Sequence, residues 1–280
     1  MKQLIITADD YGAAPEVNEA VERAHQDGVL TAASLMVSGA AAADAVARAR
    51  SLPGLRVGLH LVLVDGRPIL PAKSVPDLVD ARGNFRNDMA RAGAAMFFRS
   101  KVKAQTAAEI EAQFEAFAAT GLALDHVNAH KHFHLHPTIA QLIVAFAVKH
   151  HAKGVRVPLE PQGILARIEP HRPSGTVLLT TSFARRLRRH FRKSGVNAPD
   201  QVFGLAWSGA MTRKRLKGLL EHLPDGVSEI YCHPATGPYT GSAAGYAYRE
   251  ELAGLLDPGM ADLIAARNIR LGGFSDFWVQ

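Results

Sequence analysis

A chain of 280 residues with 48% apolar content and a mean hydropathy near zero excludes a disordered or fibrous polymer and is long enough for one large α/β domain with a substantial core. Its net charge of +6, from 32 basic and 26 acidic residues, favours an anionic partner only weakly. The single cysteine, Cys232, excludes an intrachain disulfide and leans towards a reducing, cytoplasmic setting, no run of roughly 18 apolar residues could span a membrane, and the apolar stretch after Met1-Lys2-Gln3 is too short for a signal peptide.

In chain order, strands alternate with helices. Residues 4–8 read as a strand running into Asp9-Asp10, and Val17, Ala20, Val21 and Ala24 then fall at helical spacing up to Gly28. A strand over 33–37, an alanine-rich helix over 41–50 closed by Pro53-Gly54, and a strand over 55–59 running into His60 follow. Residues 65–104 read as less regular, with Pro68, Pro71, Pro76 and a Gly83-Asn84 turn. A helix is predicted over 106–120, with Ile110, Phe114 and Phe117 on one face and Thr106 and Glu109 as a capping box. A strand over 124–129 runs into His130, Pro137 opens a core helix reaching Val148, and Gly154-Val155 runs into Arg156. A strand over 228–232 then runs into His233, a helix covers 250–266, and residues 269–271 form the last strand. This is the pattern of a (β/α) barrel or a doubly wound sheet. The barrel is preferred, because the chemically capable residues spread over the whole chain, whereas a switch-point site draws on neighbouring strands. The expectation is one domain over residues 1–280, a (β/α) barrel of about seven strands.

Five of these strands end on a residue capable of metal or proton chemistry: Asp9-Asp10, His60, His130, Arg156 and His233. Parallel strands share one C-terminal rim, so the five converge on one site. Asp9-Asp10 also reads as a helix N-cap pair, and His60 alone as a packed core histidine. The segment from His126 to His136 holds five histidines in eleven residues, at spacings of four, two, two and two. An extended chain would place them on one face, as metal ligands, although a polar loop, a metal-storage tract or a contact surface has the same composition. One aspartate, His60 and one histidine of this cluster make a three-ligand site with an open water position, the layout of a catalytic divalent ion. A neighbouring carboxylate then takes the proton of water, Arg156 keeps that carboxylate ionised, and His233 protonates the leaving group. Mixed N/O ligands suit zinc first, and also magnesium, nickel, cobalt, manganese or iron.

Phe183, Leu187 and Phe191 recur at i, i+4 and i+8 among arginines, which reads as a basic amphipathic helix over 183–193 for an anionic membrane surface, or as an ordinary outer helix. Residues 96–103, with Phe97 and Phe98, have similar character, and no nucleic-acid-binding motif is present.

Thr7-Ala8-Asp9-Asp10-Tyr11-Gly12, Gly58-Leu59-His60, His130-Lys131-His132-Phe133-His134 and Cys232-His233-Pro234 together resemble the YdjC-like carbohydrate deacetylases, nearly end to end. The resemblance implies an irregular (β/α) barrel similar to polysaccharide deacetylases and one divalent metal. It implies Asp10, His60 and His130 as ligands, Asp9 as general base and His233 as acid. Arg156-Val157-Pro158 looks like the arginine motif that orients the base. Pro15-Glu16-Val17-Asn18-Glu19-Ala20-Val21, the segment from Asp125 to Pro137, and Val155-Arg156-Val157-Pro158 resemble the hopanoid-biosynthesis branch most closely. That branch implies deacetylation of an N-acetylglucosaminyl hopanoid, a glycolipid substrate, with the protein cytoplasmic or peripheral on the inner membrane.

The reading is therefore a metal-dependent amide hydrolase, with the Tyr11 backbone N–H beside the oxyanion and His132 lining the substrate pocket. His126, His134 and His136 are left to support the ligands or the fold. Two alternatives stand: the same machinery acting on soluble N-acetylated chito-oligosaccharides, and a non-enzymatic metal- or membrane-surface-binding protein. A homodimer is compatible with either.

Overall fold

The alternation of strand and helix produces a curled parallel sheet. In the computed structural model, which describes residues 1–170 and 175–278, the first half comprises β1 (Lys2–Tyr11), α1 (Pro15–Gln26), β2 (Ala32–Leu35), α2 (Ala42–Arg50), β3 (Arg56–Leu61), α3 (Met89–Phe98), α4 (Ser100–Ala119) and β4 (His126–Ala129). A 3-10 turn over His130–Leu135 leads to α5 (Pro137–Lys149), β5 (Gly154–Val155), α6 (Gln162–Ile168), α7 (Gly175–Lys193), β6 (Gln201–Phe203), α8 (Arg213–Glu221) and β7 (Gly226–Cys232). The chain closes with α9 (Tyr248–Leu255), α10 (Pro258–Ala266), β8 (Ile269–Leu271) and α11 (Phe274–Phe277).

Seven strands follow the order β5-β4-β3-β2-β1-β7-β6, all pairings parallel, and the eighth, β8, pairs only with the start of β1. The expected barrel is thus a curled half-barrel. Its two edges form no ladder among the described residues. They are bridged by the Val155 N–H to the Asn197 carbonyl (2.8 Å) and the Val202 N–H to the Leu159 carbonyl (2.9 Å). β1 reads as a continuous apolar run because it is covered on both faces: Leu4, Ile5 and Ile6 are fully buried. Gly58 on β3 has a steric reason, since a Cβ there would lie 2.5 Å from the His126 ring of β4.

Several local expectations are corrected. Residues 65–104, read as less regular, hold no helix or strand before Met89 and then contain α3 and the start of α4. Thr106 and Glu109 are not a cap, because α4 begins at Ser100. The Thr106 hydroxyl donates to the Val102 carbonyl (2.8 Å), and the buried Glu109 carboxylate accepts the N–H groups of Ile69 (2.8 Å) and Leu70 (3.0 Å), tying the proline-rich stretch to the helix. The helix over 250–266 is two, because Pro258 has no N–H to continue a helix and Asp257 caps the new one through the Gly259 N–H (2.8 Å). In α7 the buried stripe is Ala184, Leu187 and Phe191, packed into the protein's own core. The apolar face predicted over 183–193 is therefore already occupied, and Phe183 alone of the predicted three stays exposed. No described helix is long and apolar enough to cross a membrane.

Candidate metal centre and active site

Adjacent residues of a strand normally point to opposite faces. At the end of β1 that alternation breaks: Asp10 is left-handed (φ 60°) and the register against β2 shifts between Ala8 and Tyr11. Aspartate tolerates this conformation better than most residues. The irregularity lets Asp9 and Asp10 face one cavity in different roles.

Asp10 Oδ1 lies 3.3 Å from His60 Nε2 and 3.2 Å from His130 Nδ1, and those two nitrogens are 3.4 Å apart. A tetrahedral site with bonds of about 2.0–2.1 Å has edges of about 3.3–3.4 Å, so the three donors fit one zinc-sized ion. The tautomer is also arranged. Asn128 donates its amide hydrogens to Asp9 Oδ1 (3.1 Å) and Ser34 Oγ (2.8 Å), so its Oδ1 accepts from His60 Nδ1–H (2.7 Å). His60 Nε2 is left with its lone pair towards the cavity. Burial works against charge on His60, but Asp10 and Asp9 outweigh it and raise its pKa, so this pocket draws a cation.

Asp9 already has one. Arg156, fully buried, donates Nη1–H to Asp9 Oδ2 (2.5 Å) and Nη2–H to Asp9 Oδ1 (2.9 Å), and gives Nε–H (3.0 Å) and Nη2–H (2.8 Å) to Glu229 Oε1. Thr7 Oγ1 donates to the same Glu229 oxygen (2.9 Å), and the guanidinium lies 4.4 Å from the Tyr231 ring centre. Burial alone would raise the Asp9 carboxyl, but Arg156, with His60 and His233 adding, holds it well below the usual carboxylate range. Asp9 is a carboxylate fixed in its ionised form.

The histidine segment does not stay extended. Lys131 (φ 52°) and His132 (φ 55°) are both left-handed and turn the chain, so the period-two face is corrected to four separate destinations. His130 joins the triad. His132 Nε2 meets the Tyr231 hydroxyl (2.7 Å), and burial, then Arg156, lowers its pKa to about 3, so the ring is neutral. His134 turns inward, its Nδ1 accepting the Ala129 N–H (3.2 Å), and His136 donates to the Gly93 carbonyl (3.0 Å). His126 is structural: it bonds Asp125 (3.0 Å) and Ser34 (2.9 Å) and stacks on Phe274.

A cavity of about 260 Å³ is lined by Asp9, Asp10, His60, His130, His132 and His233, together with Ser208, Ser242, Tyr239, Tyr246 and Tyr248. The His233 N–H is held by the buried Glu251 carboxylate while its ring Nδ1 has no hydrogen-bond partner, so the backbone is pinned and the imidazole is free for other work. The rim thus brings together Asp9, Asp10, His60, His130, His132 and His233, with Arg156 directly behind Asp9. The Tyr11 side chain is fully buried and its hydroxyl donates to the Ala45 carbonyl (2.6 Å), so a role at the oxyanion rests on its backbone N–H alone. Asn128, Glu229 and the tyrosine wall were missed. Asn128 sits two residues before His130, and Glu229 is a charge inside an apolar strand, so both left a readable signal.

The YdjC-like protein model matches residues 3–266 of this chain. A carbohydrate deacetylase of Geobacillus stearothermophilus is 30% identical over 98% of this chain and 97% of its own length. A chitooligosaccharide deacetylase of Yersinia pestis (strain Pestoides F) is 31% identical over 98% of this chain and 99% of its own. A crystal structure from Enterococcus faecalis V583, of a protein assigned provisionally to cellobiose-phosphate cleavage, superposes with a TM-score of 0.77 at 26% identity, covering 99% of both chains. With a match over nearly the whole chain and the same half-barrel, this chain belongs to the YdjC-like protein family.

Proposed function

We propose that this chain hydrolyses the acetamide of an N-acetylated amino sugar, with soluble chito-oligosaccharides as its substrate class. One observation carries the reading: at a single rim, three ligand atoms within 3.4 Å of one another adjoin a carboxylate, Asp9, held by a buried arginine. The deacetylases of Geobacillus stearothermophilus and Yersinia pestis, similar over nearly their full length, support the enzyme class and an amino-sugar substrate.

Asp10, His60 and His130 would hold a divalent ion, for which zinc is the first candidate given one oxygen and two nitrogen donors. Such an ion supplies Lewis acidity at the acetamide carbonyl and lowers the pKa of water. Asp9 accepts the proton of the attacking water, its carboxylate aimed by Arg156 and Asn128. His233, which lines the same cavity, gives a proton to the nitrogen as the C–N bond breaks, and the products are acetate and a free amine. Neutral His132, braced by Tyr231, offers a polar contact to the substrate. The faces of Tyr239 and Tyr246 offer apolar contact to a sugar ring.

A lipid-linked amino sugar, the N-acetylglucosaminyl hopanoid of the closer resemblance, is the second reading. It is favoured by the exposed neighbouring pair Phe97 and Phe98. Acetate release from the two substrates, before and after chelation, separates the cases. Chelator-sensitive release from chito-oligosaccharides supports the main reading, and release from the lipid alone replaces its substrate. No release from either, with metal bound, overturns the deacetylase reading.

A further inference from the structure

We propose that the corner between α3 and α4 is a docking surface for an anionic lipid membrane. α3 ends on Phe97 and Phe98, Arg99 is extended, and α4 begins at Ser100, so the two rings stand at a turn between helices. Phe98 is 80% exposed and Phe97 43%, and their rings pack edge to face at 4.9 Å. They are the only neighbouring pair among the large apolar side chains exposed in the described residues.

The surroundings are cationic. Residues 86–103 hold five basic residues and one acidic, Asp88. Lys103 Nζ lies 5.5 Å from the Phe97 ring centre, and Arg99 and Lys101 share one carboxylate, Asp77, at 3.5 and 3.2 Å, which leaves the corner net positive. Aromatic rings that enter the headgroup layer with long cations around them are the arrangement that binds anionic lipid surfaces. The dimensions disfavour a protein partner: two phenylalanines bury at most about 150–250 Å² each, against about 800 Å² per partner in a stable interface.

The corner also touches the histidine turn. The Phe97 ring is 6.1 Å from that of His136, which closes the histidine turn and bonds α3 through Gly93. A cavity of about 490 Å³ runs along α3 past Met96, Arg91 and Arg99. It shares Asp80 and Asn87 with a second cavity of about 580 Å³, which in turn reaches Asp10 and His130. Docking at the corner would therefore bring the membrane surface to one end of a trough leading to the triad. The inference stands apart from the proposed chemistry, because binding to vesicles requires no turnover.

The test is co-sedimentation of the purified full chain with phosphatidylcholine vesicles, with and without phosphatidylglycerol. The full chain is expected to bind the anionic vesicles, more weakly as salt is raised, and to leave neutral ones in solution. Phe98→Ser is expected to weaken binding about tenfold or more, and Lys101→Glu with Lys103→Glu to abolish it. All three substitutions are at the surface, so near-normal melting and unchanged hydrolysis of soluble substrate verify folding. Three results would overturn the proposal: no binding by the full chain, binding indifferent to Phe98→Ser but lost in Arg185→Glu with Arg189→Glu on α7, or a concentration-dependent dimer that Phe98→Ser dissociates.

Discussion

On one side of the β1 terminus, Asp10 faces two imidazole nitrogens at 3.2 and 3.3 Å and an open cavity; on the other, Asp9 faces a guanidinium that also binds Glu229. The Asp9 side holds a fixed cation without any ligand, although that one guanidinium serves two carboxylates. The Asp10 side does not, since its imidazoles bring lone pairs and no fixed positive charge. One left-handed residue and a register shift separate these environments for two carboxylates adjacent in sequence. The lesson is that a paired-aspartate motif acquires two roles through backbone geometry, with Asn128 touching both halves.

The largest effect that sharpens this contrast is on turnover. Asp9→Asn should lower the rate about 10²- to 10⁴-fold while bound metal, counted by elemental analysis, stays at the level of the unmutated protein. His130→Ala should lose metal and activity together. Loss of metal in Asp9→Asn would show that the halves are not separate. Next in size is stability. Arg156→Met strands Asp9 and Glu229 in the interior, a change that costs about 3–5 kcal/mol when one partner of a buried pair is removed. Urea unfolding measures it, and adding Glu229→Gln should recover part of the loss. An Arg156→Met protein of unchanged stability would contradict the reading of Arg156 as the internal counter-charge.

Much of this arrangement was legible because parallel strands carry continuous apolar runs and end on one rim. The endings at Asp9-Asp10, His60, His130, Arg156 and His233 announced the site before any contact was known. What stayed hidden depended on backbone turns and on third parties. Period two in the histidine segment holds only for an extended chain, and two left-handed residues remove that premise. The apolar positions of α7 could equally face lipid or core, and only tertiary packing shows Leu187 and Phe191 turned inward. Tyr11 follows Asp10 directly, but its ring drops into the core to reach the Ala45 carbonyl, a partner 34 residues away. Glu229 was readable as a misplaced charge, yet its partner, 73 residues distant, was not.

A smaller effect probes the residue linking the halves. Asn128→Ala removes the acceptor that fixes the His60 tautomer and one donor to Asp9, and should weaken metal binding about 10- to 100-fold. Competition with a chromogenic chelator measures it. Unchanged affinity would mean that His60 keeps its tautomer without help.

The smallest expected effect is on acid stability, and it separates the halves once more. The Asp9 carboxyl titrates well below its unfolded value of about 3.9, because Arg156 and its neighbours outweigh burial. Over the interval between the two values the unfolded chain binds the extra proton. The contribution of Asp9 is therefore fully present above about pH 4 and is lost as the pH falls towards its folded value. Asp9→Asn should make the fall in stability below about pH 4 shallower and leave the curve above about pH 5 parallel to that of the unmutated protein, followed by urea unfolding at each pH. Because the counter-charge is Arg156 and not a bound ion, the same difference should persist in excess chelator. If chelation erased it, Asp9 would owe its ionised state to the metal, and the two halves would be one electrostatic unit.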